Sequence, residues 1–453
     1  MHKNISKLHY LKKYLADSLL FRKPYSLCVR VYNRLHLLRV LAKMKPYSGV
    51  YNPCVDSSTL NEKVMCGYQG WFSAKGDGSG RDWSHYGQDQ YFSPSCCKID
   101  LWPDVSDMSY DEKYSTQFKH KDGKTAYVFS SYNSNTVLRH FQWMQKHGID
   151  GIFLQRFLNN ANRSYVAYNH NNVVTANVQA GANRYGRTWA IMYDLTGLEA
   201  GDIEKFVIKD WKQLIDRMKV TQDKSYLHHQ GKPVVAVWGI GFNDGRKYTL
   251  AECEKLVNFL KTDKKYGGNT VMLSVPTGWR NLNRDSVKDK MLHQIISQAD
   301  IVSPWTVGRY NSPQMAKEEI ESIGSADIEW TKQRQLTYLP VVFPGFSWQN
   351  LQKTPHQDAK LNQIPRLKGA FLWSQSVAFK QAGARMLFVA MFDELNEGTA
   401  IFKCTNNPPI GNSRFLTYAG LPSDHYLWLV GRLGELLRNK IPESMTIPIR
   451  NKP

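Results

Sequence analysis

The feature that most constrains the fold of this chain is a regular alternation of strand-like and helix-like segments after about residue 60. Eight short runs are apolar and almost free of charge, which is typical of strands buried on both faces. The first lies within 62–72, counted from Val64, and the others lie at 151–157, 188–194, 233–239, 269–275, 300–305, 336–344 and 385–392. Helical patterns separate several of them, among them 135–147, 203–220 and 250–261.

Eight strand–helix units are the pattern of a single (β/α)8 TIM barrel, with enlarged active-site loops taking up the extra length. A doubly wound α/β sheet also alternates, but it normally has a phosphate-binding glycine turn after its first strand. The glycine-rich segment 75–81 lacks the Lys-Ser/Thr ending of such a turn. The sequence therefore predicts a barrel domain over residues 59–453.

A basic N-terminal extension precedes the barrel. Residues 1–45 hold eleven Lys or Arg and one acid, Asp17, which accounts for half of the chain's net charge of +20. Apolar residues recur there at helical spacing between arginines: Leu27, Val31, Leu35, Leu38 and Leu41. This predicts a basic helix that either contacts an anionic membrane surface or packs on the barrel.

The extension has no apolar run long enough for a signal peptide or a membrane-spanning helix. We therefore expect a helical extension and linker over residues 1–58 and a cytoplasmic or membrane-peripheral protein. Nucleic-acid binding is not expected, because the basic residues of the body do not form a recognisable module. The seven scattered Cys predict neither a disulfide framework nor a zinc site.

The eighth predicted strand ends in three carboxylates, Asp393, Glu394 and Glu397. Carboxylates at the end of a buried strand are costly unless solvent, a partner or chemistry keeps them there. Glu394 and Glu397 would face opposite sides of a continuing strand, so both reach one substrate only if the chain turns between them. Asn396 and Gly398 favour such a turn.

Polar and aromatic residues follow most of the other predicted strands, where a barrel places its active site. The candidates for substrate binding are Tyr68, Trp71, Gln155, Arg156, Tyr193, Asp194, Trp238, Trp305, Arg309 and Trp348. We expect Arg156 or Arg309 to lie near Glu394 and to keep it ionised.

A carboxylate pair beside aromatic faces is the equipment of glycoside hydrolysis, in which one group protonates the leaving oxygen and the other assists its displacement. The competing interpretation is an oxygen-only Ca²⁺ or Mg²⁺ site. Zinc and iron are not expected, since no His accompanies the cluster. We predict catalytic Glu394 and Glu397, no metal and no cofactor.

The segment Phe392-Asp-Glu-Leu-Asn-Glu-Gly-Thr-Ala400 resembles the eighth-strand motif of glycoside hydrolase family 99 and its family 71/99-like relatives. Three further segments resemble a bacterial branch of that group: 67–72, 303–309 and 364–375. The resemblance implies a retaining endo-α-mannosidase-like barrel, in which the sugar's 2-hydroxyl forms a 1,2-anhydro intermediate. Glu394 would be the base for that hydroxyl and Glu397 the acid, with Tyr68 near a first-strand tyrosine of the site.

Two functions follow as expectations. The first is a retaining endo-acting glycoside hydrolase on an α-linked polysaccharide or glycan, with mannose-containing glycans as one candidate. The second is a barrel that binds or processes glycans during surface-polysaccharide biosynthesis without hydrolysis. The carboxylate pair favours the first function, and the missing signal peptide favours the second.

Overall fold

A computed structural model describes residues 34–88, 91–159, 164–350 and 361–450. The chain divides into two compact units, Met1–Lys45 and Pro46–Pro453. In the first unit, residues 34–43 form a helix on which Leu35 and Leu38 are each 52% exposed. The rest of the predicted amphipathic helix lies outside the described residues. None of the described helices has the length and hydropathy needed to span a bilayer.

The second unit is built on a parallel sheet with eight strand positions in the described residues, as predicted. Their bounds are β1 Val64–Tyr68, β2 Gly151–Phe157, β3 Thr188–Asp194, β4 Lys232–Trp238, β5 Thr270–Val275, β6 Ile301–Pro304, β7 Thr337–Tyr338 with Val341–Val342, and β8 Leu387–Val389. The strands are almost wholly buried, which explains their uninterrupted apolar sequences.

The sheet closes through β7, whose two short pieces flank Pro340. The first piece pairs with β6, with Thr337 opposite Ile301. The second pairs with β8, with Val341 opposite Phe388, and β8 in turn pairs with β1. Pro340 has no N–H to donate, and its carbonyl accepts a hydrogen bond from the Phe388 N–H at 2.9 Å. Each strand therefore has neighbours on both sides, and the predicted (β/α)8 architecture is confirmed.

Helices follow the strands in order: α1 Ser134–His147, α2 Tyr165–Tyr185, α3 Ile203–Ile208 with Lys209–Gln213 and Leu214–Met218, α4 Leu250–Thr262, α5 Met291–Gln298, α6 Pro313–Glu319 with Ile320–Gly324 and Ser325–Gln333, α7 Ala370–Gln381, and α8 His425–Leu437. Helix α1 shows how local sequence sets these bounds. The Asn133 side chain accepts from the Asn135 N–H at its start, and Gly148 ends it with a φ of 75°.

The loops at one end of the barrel are long, as expected. The β1–α1 connection contains an antiparallel hairpin, Tyr114–Lys119 with Thr125–Val128. Residues 46–58, predicted as a linker, belong to the second unit. The Asn52 N–H donates to the Asn183 carbonyl at 2.8 Å, and the Ser57 hydroxyl donates to the Lys224 carbonyl at 2.9 Å.

Candidate active site

A cavity of about 930 Å³ lies where the barrel strands end. It brings together eight of the residues predicted for the site: Trp71, Gln155, Asp194, Trp238, Trp305, Arg309, Trp348 and Glu397. The cavity is also lined by Phe157, Asp244 and Arg246, which the sequence did not single out for the site, and by Gln69, Arg81 and His85. The carboxyl-terminal ends of the strands thus form one concave, aromatic-rich site.

Arg156 and Tyr193 lie outside this cavity. Side chains alternate along a strand, and the paired strands β2 and β3 place Arg156 opposite Tyr193 on the face towards the helices. Both bind Asp210 of α3: Arg156 Nη2 lies 2.6 Å from Asp210 Oδ1, and the Tyr193 hydroxyl donates to Asp210 Oδ2 at 2.8 Å. Their neighbours Gln155 and Asp194 face the cavity instead.

Tyr68 also points away from the cavity. Its hydroxyl lies 2.9 Å from Nδ1 of His140 on α1, and its ring packs at 5.8 Å from that of Phe392. Tyr68 is fully buried in these contacts, so its position does not meet the expectation of a substrate contact.

The turn predicted between the two glutamates is present at residues 395–398, and Gly398 has a φ of 65°. The Asn396 N–H donates to Glu394 Oε1 at 2.8 Å, and the Gln69 amide donates to Glu394 Oε2 at 3.0 Å. Glu394 is 1% exposed behind Gln69, whereas Glu397 lines the cavity and keeps part of its surface exposed. Glu397 is therefore accessible from the cavity, whereas Glu394 is almost completely shielded from it.

Asp393, the third carboxylate, holds the end of β1. Its Oδ1 accepts from the Gln69 N–H at 2.7 Å, and its Oδ2 accepts from the Gly70 N–H at 2.8 Å. It is fully buried and outside the cavity lining, and burial raises its pKa to about 7. Asp393 therefore fixes the position of Gln69, which in turn covers Glu394.

The prediction that Arg156 or Arg309 holds Glu394 ionised is wrong. Arg156 is bound to Asp210, and Arg309 Nη2 lies 2.8 Å from Asp285 Oδ2. Among the described residues, neither Glu394 nor Glu397 forms a salt bridge. The guanidinium groups of the two arginines instead pair with Asp210 and Asp285. The strand pattern alone does not predict the positions of these aspartates.

Burial is the largest influence on the pKa values of Glu394 and Glu397. It raises the pKa of Glu394 well above the usual range, and the charge of Glu397 adds to this. Burial also raises the pKa of Glu397 to about 7, with a further contribution from Asp194. Two coupled carboxyls of this kind retain a proton near neutral pH, so the pair contains both an acid and a base.

Two aromatic surfaces face the cavity. The rings of Trp71 and His85 stack with centroids 4.0 Å apart and planes 8° from parallel. On the other side, the Arg246 guanidinium lies 4.9 Å from the Trp238 ring centroid and is held by both oxygens of Asp244. The indole N–H groups of Trp71 and Trp238 have no hydrogen-bond partner among the described residues, and they are candidate donors to a polar ligand.

Within the described ranges, no group of three His, Cys, Asp or Glu side chains is arranged to hold a metal ion.

No protein-family model matches this sequence, and no curated protein matches it. Among solved structures, the GH99 endo-alpha-mannosidase from Bacteroides thetaiotaomicron is similar, with a TM-score of 0.61 and 14% identity over 84% of this chain and 99% of that chain. The same enzyme in complex with Bis-Tris-propane gives a TM-score of 0.60 at 14% identity with the same coverage. At this identity the likeness shows a shared fold: the barrel of this chain is a GH99-like (β/α)8 barrel.

Proposed function

We propose that this protein is a retaining, endo-acting glycoside hydrolase on an α-linked glycan, with mannose-containing glycans as the first candidates. The observation that carries the proposal is the turn after β8, which brings Glu394 and Glu397 together beside an aromatic-lined cavity. The fold shared with a GH99 endo-alpha-mannosidase supports the choice of glycan.

In the proposed first step, Glu397 gives its proton to the glycosidic oxygen. Glu394 takes the proton of the sugar's 2-hydroxyl, whose oxygen attacks the anomeric carbon as the leaving group departs. The product is a 1,2-anhydro sugar. In the second step, ionised Glu397 takes a proton from water, which adds to the anomeric carbon. The bond from that carbon to O2 breaks, and Glu394 returns its proton to O2.

The hydrogen bonds at the pair support this division of roles. Two N–H groups, from Asn396 and Gln69, donate to Glu394, whereas no described residue donates to the Glu397 carboxylate. These donors stabilise a negative charge on Glu394, against the burial and the charge of Glu397 that raise its pKa. For the sugar hydroxyl to reach Glu394, the Gln69 amide has to move off Oε2.

The position of the Gln69 amide over Glu394 is also the observation that favours the alternative function. Glu394 is nearly inaccessible from the cavity, so Glu397 is the member of the pair that would face a ligand. A barrel that binds or processes glycans in surface-polysaccharide biosynthesis without hydrolysis needs no accessible second carboxylate.

The two functions are separated by incubating the wild type, Glu394→Gln and Glu397→Gln with a panel of α-linked polysaccharides and with aryl glycosides that carry a good leaving group. We expect cleavage by the wild type and loss of both activities in Glu394→Gln. Glu397→Gln should lose about 10²–10⁴-fold on the unactivated glycan and much less on the aryl glycoside. Binding by all three proteins with cleavage by none would favour the alternative.

We also propose that residues 1–45 contact an anionic membrane surface. The exposed Leu35 and Leu38 supply apolar area, and the eleven basic residues of this segment supply charge complementarity to anionic lipid.

A further inference from the structure

A buried carboxylate outside the cavity, Asp100, lies behind the turn that carries Glu397. Its side chain is fully buried, and it is not part of the cavity lining. Its Oδ1 accepts hydrogen bonds from the Asn350 amide at 2.8 Å and the Gln349 amide at 3.2 Å. Within the described chain, no Lys or Arg forms a salt bridge with it. Burying a carboxylate without a cationic partner costs folding free energy. This cost points to a functional role for Asp100.

Asp100 and its neighbours anchor three consecutive carbonyls of the turn. The Asp100 N–H donates to the Leu395 carbonyl at 2.8 Å. The Asn350 amide, which Asp100 orients, donates to the Asn396 carbonyl at 3.1 Å. The Ser347 N–H donates to the Glu397 carbonyl at 2.8 Å. The turn is thus held by residues that are not part of the cavity lining.

Asp100 is also electrostatically coupled to the site. Burial, with a smaller contribution from the charge of Glu397, raises its pKa to about 7. Repulsion between two carboxylates is mutual, so whichever of Asp100 and Glu397 ionises first makes the ionisation of the other less favourable. The other titratable and charged groups in this region include Glu394 and Asp194, which are coupled to Glu397, and Cys97 and Lys98 on Asp100's own segment.

We propose that Asp100 is a positioning residue for Glu397, which anchors its turn from outside the cavity and helps to keep a proton on its carboxyl. The inference rests on the proposed function, because it assigns Glu397 the role of the acid.

Two variants separate the charge from the anchoring. Asp100→Asn keeps an oxygen that can accept from Asn350 but removes the charge. Asn350→Ala keeps the charge but removes the anchor at Asn396. For Asp100→Asn we expect the alkaline limb of the kcat/KM profile to move to lower pH by about one unit. For Asn350→Ala we expect kcat to fall while the limb stays in place. An unmoved limb in Asp100→Asn, or the same displacement in both variants, would overturn the proposal.

A second measurement needs neither activity nor a folded Asp100 variant. The Asp100 carboxyl is titrated by carbon-13 NMR in the wild type and in Glu397→Gln, which is neutral at residue 397. We expect Asp100 to ionise at lower pH in Glu397→Gln, and an unchanged titration would overturn the coupling. If the wild type cleaves no glycan, the proposed function fails while this titration still decides whether the two carboxyls are coupled.

Discussion

At the residue scale, the carboxyls around the cavity lose their protons in a graded order. Burial raises the pKa of Asp194 to about 6 and that of Glu397 to about 7. Asp194 therefore ionises first, and its charge makes the ionisation of Glu397 less favourable. Arg246 favours the charged form of Asp194. A proton is thus retained on Glu397 at a pH where an exposed glutamate would have lost it.

The residue-scale prediction concerns Asp194→Asn. Without the charge of Asp194, the pKa of Glu397 falls, so the protonated acid is lost at lower pH. We expect the alkaline limb of the kcat/KM profile to move to lower pH by about one unit, measured on the glycan that the wild type cleaves.

Asp194→Glu is the matched control, because it keeps the charge at the end of β3. It should keep the limb close to the wild-type position even if KM rises through a misplaced carboxylate. A limb that moves equally in both variants would contradict the electrostatic explanation.

At the scale of elements, β2 and β3 each send one side chain to the cavity and the next to the helix layer. On the helix side, Arg156 is 1% exposed and donates hydrogen bonds to Asp210, Asn172 and Thr175. Tyr193 adds a donor to the same Asp210. This buried network joins the two strands to α2 and α3, and so fixes the strand ends that carry Gln155 and Asp194.

Asp210→Asn should therefore destabilise the barrel without touching the cavity. It leaves the Arg156 cation buried and without its counter-ion, which we expect to lower the free energy of unfolding by about 3–5 kcal/mol. Urea denaturation followed by circular dichroism measures this. The control is Asp122→Asn, which breaks an exposed pair with Lys124 and should leave the urea midpoint unchanged. Equal midpoints for both variants would contradict the structural role of the network.

At the scale of the whole molecule, the chain joins a basic unit, Met1–Lys45, to the barrel unit, Pro46–Pro453. The barrel unit contains all the strands in the described residues and the whole cavity lining. Leu35 and Leu38, each 52% exposed, and half of the net charge of +20 belong to the first unit. The proposed membrane contact and the proposed glycan hydrolysis therefore concern separate parts of the chain.

Removal of residues 1–45 tests this assignment. We expect the full chain to co-sediment with anionic liposomes at low salt and to be released as salt is raised, because screening weakens the attraction. The truncated chain should stay in solution and keep the circular dichroism spectrum and thermal transition of a folded barrel. Liposomes of neutral lipid are the control, and unchanged co-sedimentation of the truncated chain would contradict the membrane proposal.

The sequence by itself determined the strand count and the barrel, because strands buried on both faces leave long apolar runs that local reading detects. It did not predict α2, whose 21 residues include five Asn with low helix propensity. The Ser164 cap, the Gly186 terminus and packing against α1 stabilise that helix. The turn between Glu394 and Glu397 was also predictable, since Asn396 and Gly398 are local signals.

Only the tertiary structure decided which residues share the cavity. Where both faces of a strand are buried, its sequence does not reveal which face is inward, so Arg156 and Gln155 could not be told apart. Asp210, Asp285 and Asp100 lie far along the chain from the groups that they pair with or hold, and no local pattern links them. Their positions depend on the closure of the barrel, which brings distant segments together behind the carboxylate pair.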